Sequence, residues 1–208
     1  MSHDNARSSR LADIDPNVLT RAQGGDRVAF DELVRFYRQD LLRVVYRFVG
    51  NYEDARDVLQ HVFVKVYLNL DRWQPRAPFW SWLYRIAVNE SLGWMKREQR
   101  RYSLVSLIDD SPLPEASSGA PSPLDEVAWH EMGRRVLEAI EELPEMQKAT
   151  FVLRFCEHLS VKETAAILGC AEGTVKANGY HAIRRLRKIL GADASEWGAG
   201  EESLAHGE

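Results

Sequence analysis

Residues 160–190 read SVKETAAILGCAEGTVKANGYHAIRRLRKIL, and this stretch decides the fold. Ser160 followed three residues later by Glu163 is the signature of a capping box: the hydroxyl takes the N3 amide and the carboxylate returns to the serine amide. The helix it opens is short. It stops at Leu168-Gly169, because glycine accepts the left-handed conformation that a helix C-terminus favours. After the turn Gly169-Cys170-Ala171, a longer helix is predicted from Glu172 to about Leu190. One side of it is apolar (Val175, Ala182, Ile183, Leu186, Leu190); the other carries Lys176, Asn178, His181, Arg184, Arg185, Arg187 and Lys188. Five bases against one acid give this helix a charge of +4. A short helix, a tight glycine turn and a longer basic helix make a helix-turn-helix, which lays its second helix in the major groove. A plain helical hairpin would show much the same pattern. Upstream, Leu143-Pro144 opens another helix carrying Met146, Ala149, Thr150, Leu153 and Phe155.

A second helical block precedes this one. Phe30, Leu33, Val34, Tyr37, Leu41, Val44 and Phe48 form one apolar stripe at helical spacing, with Asp26 as N-cap and Gly50 as terminator. Asn51 caps the next helix, whose stripe runs Ala55, Leu59, Val62, Phe63, Val66 and Leu70. A third helix is expected from Phe79 to Arg101, separated from the second by DRWQPRAP, where two prolines exclude continuous helix. No stretch alternates with the period of a strand. The expected fold class is all-α.

The stretch SPLPEASSGAPSP (111–123) lies between the blocks and cannot bury enough apolar surface to offset chain entropy. The organisation predicted is a flexible N-terminal arm (1–17), a helical domain (18–102), an extended acidic linker (103–128), a helix-turn-helix domain (129–191) and an acidic flexible tail (192–208). Charge follows the same division. The 208 residues carry a net −4, yet Ser103–Glu131 holds six acids and no Lys or Arg, and Asp193–Glu208 holds five acids and none. The rest of the chain is therefore +7, which suggests two separate nucleic-acid contact surfaces.

With 45% hydrophobic residues the chain is too apolar for disorder, and no run approaches the roughly 20 apolar residues of a membrane helix. The polar start MSHDNARSSR has no signal-peptide core behind it, and two cysteines suit a reducing cytosol. A soluble cytoplasmic protein is expected. Cys156, His158, Cys170 and His181 match no ligand spacing, so neither metal nor other cofactor is expected.

Trp73, Phe79, Trp80, Trp82, Tyr84 and Trp94 are interleaved with Arg72, Arg76, Arg85, Lys96 and Arg97. Aromatic faces beside guanidinium groups are what unstacked bases bind, at about 1–3 kcal/mol per base. Phe79 and Trp82 are better read as core. Trp73, in its proline-bounded loop, is the candidate for holding a base turned out of the stack.

The segments AFDELVRFYRQDLLRVVYRFVGNYEDARDVLQHVFVKVYLNLDRW…FWSWLYRIAVNE and AIEELPEMQKATFVLRFCEHLSVKETAAILGCAEGTVKANGYHAIRRLRKIL resemble regions 2 and 4 of the extracytoplasmic-function (ECF) sigma factors, in the expected order. The resemblance implies a non-enzymatic transcription initiation factor that binds core RNA polymerase, at its clamp helices and flap, and directs it to promoters. It also implies an anti-sigma partner and no membrane insertion. On this reading Asp54, Asp57, Gln60 and Val64 dock on the polymerase. Trp73, Gln74, Arg76, Trp80, Arg85, Asn89, Lys96, Arg97, Arg100 and Arg101 hold the opened −10 element. Arg154, Glu172, Thr174, Lys176, Ala177, Asn178, Tyr180, His181, Arg184 and Arg185 face the −35 duplex, with Asn178 a candidate reader of adenine.

The sequence departs from the family at several of these places. Ala171 stands where a serine N-cap is common, and Gly179 where a large apolar residue is common. Asn178 and His181 replace basic residues; Arg56 and His61 replace acids. A glycine inside the helix predicts either a bend or repacking by neighbours such as Tyr180. The alternative function is a stand-alone helix-turn-helix regulator, which leaves the first block and its aromatic loop unused. A protein-only helical adaptor is a third reading.

Overall fold

The structure is a computed structural model and describes residues 13–108, 136 and 138–191, with the side chains of 102–108 excepted. The chain splits at Ala120–Pro121 into two compact units. Among the described residues all regular structure is helical.

The first unit contains α1 (Pro16–Gln23), α2 (Arg27–Val49), α3 (Tyr52–Asn69), a 3-10 turn (Leu70–Arg72) and α4 (Phe79–Ile108). Each start is chemically fixed. Asp15 accepts from the Asn17 amide, and Asp26 accepts from the amides of Val28 and Ala29 at 2.9 and 3.2 Å. Asn51 accepts from Glu53 and Asp54 at 2.9 and 3.2 Å. Gly50 ends α2 at φ 77°, where a side chain would be strained. The long helix α2 lies in the middle and packs against α1, α3 and α4. Leu33, Leu41, Val44, Val45 and Phe48 from α2 meet Val62 and Val66 from α3 and Leu83 from α4, all essentially without solvent exposure. Truncating any of these leucines to alanine costs about 2–5 kcal/mol.

Two boundaries differ from the sequence reading. Residues 13–17 were assigned to the flexible arm, yet Ile14 is buried and its amide donates to the Tyr37 hydroxyl at 3.1 Å. Helix α1 starts at Pro16, whose missing N–H and fixed φ suit a first helical position behind the Asp15 cap. At the other end α4 runs past Arg101 to Ile108, since neither glycine nor proline intervenes before Pro112. Residues 1–12, the remainder of the predicted linker (109–128) and the predicted tail beyond Gly191 lie outside the described residues.

The second unit contains helical residues 138–141, then α5 (Glu145–Phe151), a π turn (Val152–Cys156), α6 (Val161–Leu168) and α7 (Glu172–Leu190). Helix α7 packs on both α5 and α6. The capping box is present in full: Glu163 N donates to Ser160 Oγ at 3.1 Å, and Ser160 N donates to Glu163 Oε2 at 2.6 Å. Gly169, at φ 66°, and Cys170 both turn their amides back to the Ala165 carbonyl. The helix expected through Phe155 instead widens into the π turn. Residues 148–153 are all buried, so this segment is packed all round rather than along one stripe. His158 follows at φ 56°.

Helix α7 is unbroken across Gly179. An added Cβ there would meet Thr150 Cγ2 at 3.8 Å and Phe155 Cε2 at 3.9 Å, while Tyr180 is 54% exposed. The helix does not break, and Tyr180 does not repack: α5 and the π turn already fill the space a large residue would take.

Candidate nucleic-acid interface

On α7, Val175, Gly179, Ala182 and Leu186 are buried, and this inward line fixes which residues face water. Glu172, Thr174, Lys176, Ala177, Tyr180, His181, Arg184 and Arg185 are exposed and Asn178 is half-buried. Ala177, Tyr180 and Arg184 follow one another at i, i+3 and i+7 on the outward side. Tyr180 and His181 meet edge to face, with ring centroids 5.6 Å apart. Ala171 sits at the N-cap in an extended conformation and offers no side-chain cap. Arg154 lies on the π turn rather than on α7. It is half-buried, and its Nη1 donates to the Leu159 carbonyl, tying the π turn to the entry of α6.

In the first unit the loop after the 3-10 turn carries Trp73, Gln74 and Arg76. The Trp73 amide donates to Leu70 O at 3.2 Å. Gln23 Nε2 donates to the carbonyls of Leu70 and Trp73, 3.1 Å each, and so ties the loop to α1. Trp73 is half-buried, edge-on to Phe79 at 5.2 Å, while Gln74, Pro75, Arg76, Ala77 and Pro78 are exposed. A cleft of about 590 Å3 opens between this loop and α1, with Asp13, Thr20, Gln23, Trp73, Arg76 and Phe79 among its lining. Phe79 itself is core, as read from the sequence; Trp82 is half-buried.

Trp80 requires a correction. It is 6% exposed and edge-on to Tyr84 at 5.7 Å, so its ring faces are taken up by packing and offer no platform to a base. On α4, Arg85, Asn89, Lys96, Arg97, Arg100 and Arg101 are exposed. Arg101 forms an ion pair with Glu98 at 2.9 Å.

Asp57, Gln60 and Val64 lie exposed at i, i+3 and i+7 on α3, and Asp54 is half-buried one turn earlier. Burial, then the nearby carboxylates of Glu98 and Asp57, push the Asp54 carboxyl up. Asp57 and Gln60 also line a groove of about 360 Å3 between α2 and α3, shared with Val34, Arg38, Leu42 and Phe63. Arg56 lines it too, 3.5 Å from Glu53. Tyr67 and Leu68, 49% and 64% exposed, continue the apolar surface of Val64. Sequence reasoning passed over them. The signal was available: both fall off the stripe of Val62, Val66 and Leu70.

Among the described residues no group of His, Cys, Asp and Glu could hold a metal, and no helix is long and apolar enough to cross a membrane.

Two helical units with these outward faces define a protein of the sigma-70 class. Residues 33–101 match Sigma-70 region 2 and residues 133–186 match Sigma-70 region 4. Relatives include the ECF RNA polymerase sigma-E factor of Escherichia coli (strain K12), 34% identical over 173 residues, 81% of this chain and 90% of the relative. RNA polymerase sigma-H factor of Pseudomonas aeruginosa is 32% identical over 180 residues, covering 85% and 93%. ECF RNA polymerase sigma factor SigW of Bacillus subtilis is 28% identical over 185 residues, covering 83% and 94%. The fold is shared with CnrH, solved in complex with the cytosolic domain of CnrY, at a TM-score of 0.60 and 23% identity over 90% of this chain and 99% of that one. It is shared as well with sigma factor RpoE of Bartonella quintana, solved with the anti-sigma factor NepR, at 0.58 and 22% identity over 79% and 98%. The chain belongs to the ECF sigma factors, alternative sigma factors that direct RNA polymerase to promoters and are not themselves enzymes.

Proposed function

We propose that the two units divide promoter recognition between them. The second reads the −35 duplex through the outward side of α7, with Lys176, Arg184 and Arg185 on phosphates and Asn178, Tyr180 and His181 toward base edges. The first holds the opened −10 strand, with Trp73, Gln74 and Arg76 capturing a base and Arg85, Asn89, Lys96, Arg97 and Arg100 following the strand along α4. Asp54, Asp57, Gln60 and Val64 dock on the polymerase clamp helices. Because two close fold relatives were solved with partner proteins, one of them an anti-sigma factor, an anti-sigma partner in the cytoplasm completes the reading.

The observation that carries it is the division of α7. Four buried positions lock the helix to α5 and α6, which leaves the exposed side basic and free of acids from Thr174 onward. Run-off transcription with core polymerase is the test. Lys176→Ala with Arg185→Ala is expected to abolish initiation from a duplex promoter; undiminished transcripts would refute the assignment of α7.

A further inference from the structure

Gly93 lies inside α4, where glycine is a poorer helix former than alanine and nothing in the fold calls for it. A Cβ at this position would meet only Arg97 Nη1, at 3.5 Å, the far end of a flexible side chain, and its φ is not left-handed. Neither packing nor backbone conformation accounts for the residue. Its surroundings point outward. Arg85, Asn89, Lys96 and Arg100 stand at i−8, i−4, i+3 and i+7, all exposed; the acid bordering them, Glu90 at i−3, is half-buried and paired with Lys65 at 2.5 Å. Gly93 is a bare notch in the middle of this basic line, and the exposed Arg97 lays its guanidinium beside the notch.

We propose that Gly93 is a seat where the sugar–phosphate backbone of a single DNA strand lies directly against α4, one phosphate held between Lys96 and Arg97. Only glycine lets a strand come that close to a helix backbone. The inference rests on the reading of α4 as the strand-holding face. It adds what that face takes at this point: a phosphate, not a base.

The test uses the full chain and a short labelled single-stranded DNA of mixed sequence, titrated by fluorescence anisotropy over a range of salt. Gly93→Ala and Gly93→Leu introduce better helix formers, so neither is expected to lower the Tm. Gly93→Ala is expected to weaken binding several-fold and Gly93→Leu further, with the slope of log K against log salt falling by about 0.7, the value for one phosphate on a single strand. Lys96→Ala with Arg100→Ala should weaken binding while leaving the notch intact. If both Gly93 variants bind like wild type while the charge variant weakens, the seat is refuted and the α4 face stands. If the charge variant also binds like wild type, or wild type shows no salt-sensitive binding, the α4 reading itself fails.

Discussion

Gly179 shows how much a single residue can mislead when only its neighbours in sequence are known. Its lack of a side chain pointed to a bend or a repacked Tyr180, but the helix runs on unbroken, Tyr180 stays exposed, and the nearest atoms to an added Cβ, at 3.8 and 3.9 Å, are at ordinary contact distance. Gly179→Ala is therefore expected to stabilise the second unit by about 1 kcal/mol, the helix-propensity gain, with no opposing clash. Thermal unfolding reads this directly; a lowered Tm would mean the helices cannot accept even a methyl. Lys148 gives a second residue-scale expectation. It is 2% exposed, and burial pulls its ammonium down to about 8, with attraction from Glu141 acting weakly the other way. Below that value both folded and unfolded chains carry the proton. Between about 8 and 10.5 the folded chain has released it while the unfolded chain keeps it, so this group makes stability rise with pH across that window. Lys148→Met should flatten the rise and stabilise the unit at neutral pH. Urea midpoints followed through a Leu153 methyl signal, compared between variant and wild type at each pH, isolate the effect. Parallel pH curves would show that the ammonium is not desolvated.

Helix ends are where the chain was most readable. The caps at Asp26, Asn51 and Ser160 and the stops at Gly50 and Gly169 each depend on one side chain within a few residues, so local chemistry alone settles them. The early start of α1 was equally local, an Asp15-Pro16 pair, but the short helix behind it has too few turns for a convincing stripe. The π turn was not readable. It answers to burial on every side of residues 148–153, which depends on partners distant in sequence. The candidate site divides the same way. Outward positions on α7 follow from its inward line, whereas Trp73 and Trp80 look alike in sequence and only packing sends one to a loop and the other to the core. Ala171 marks a missing device at an otherwise regular helix start. Its extended backbone already suits a cap, and the Thr174 amide already donates to the Ala171 carbonyl at 2.9 Å, so Ala171→Ser should add about 1 kcal/mol of stability through a hydroxyl that accepts from the Gly173 amide. Calorimetry checks it, and an unchanged Tm would show that the hydroxyl does not take up that amide.

At the scale of the whole molecule, charge rather than packing sets how the protein meets DNA. The net −4 would argue against nucleic acid if spread evenly, yet it is the sum of a basic body and two acidic stretches. Residues 193–208 contribute five acids and no Lys or Arg, so a chain ending at Ala192 carries +1. Non-specific DNA affinity is almost wholly electrostatic and falls linearly with log salt. The shortened chain is thus expected to bind mixed-sequence duplex several-fold more tightly at low salt. The advantage should shrink steadily and vanish near 1 M, where the Debye length is about 3 Å and exposed charges no longer feel one another. Anisotropy titrations of both chains across the salt range decide it. Equal affinities at low salt would mean that the acidic stretch lies too far from the binding faces to be felt. A difference that persists at 1 M would point instead to a direct, non-electrostatic contact made by those residues.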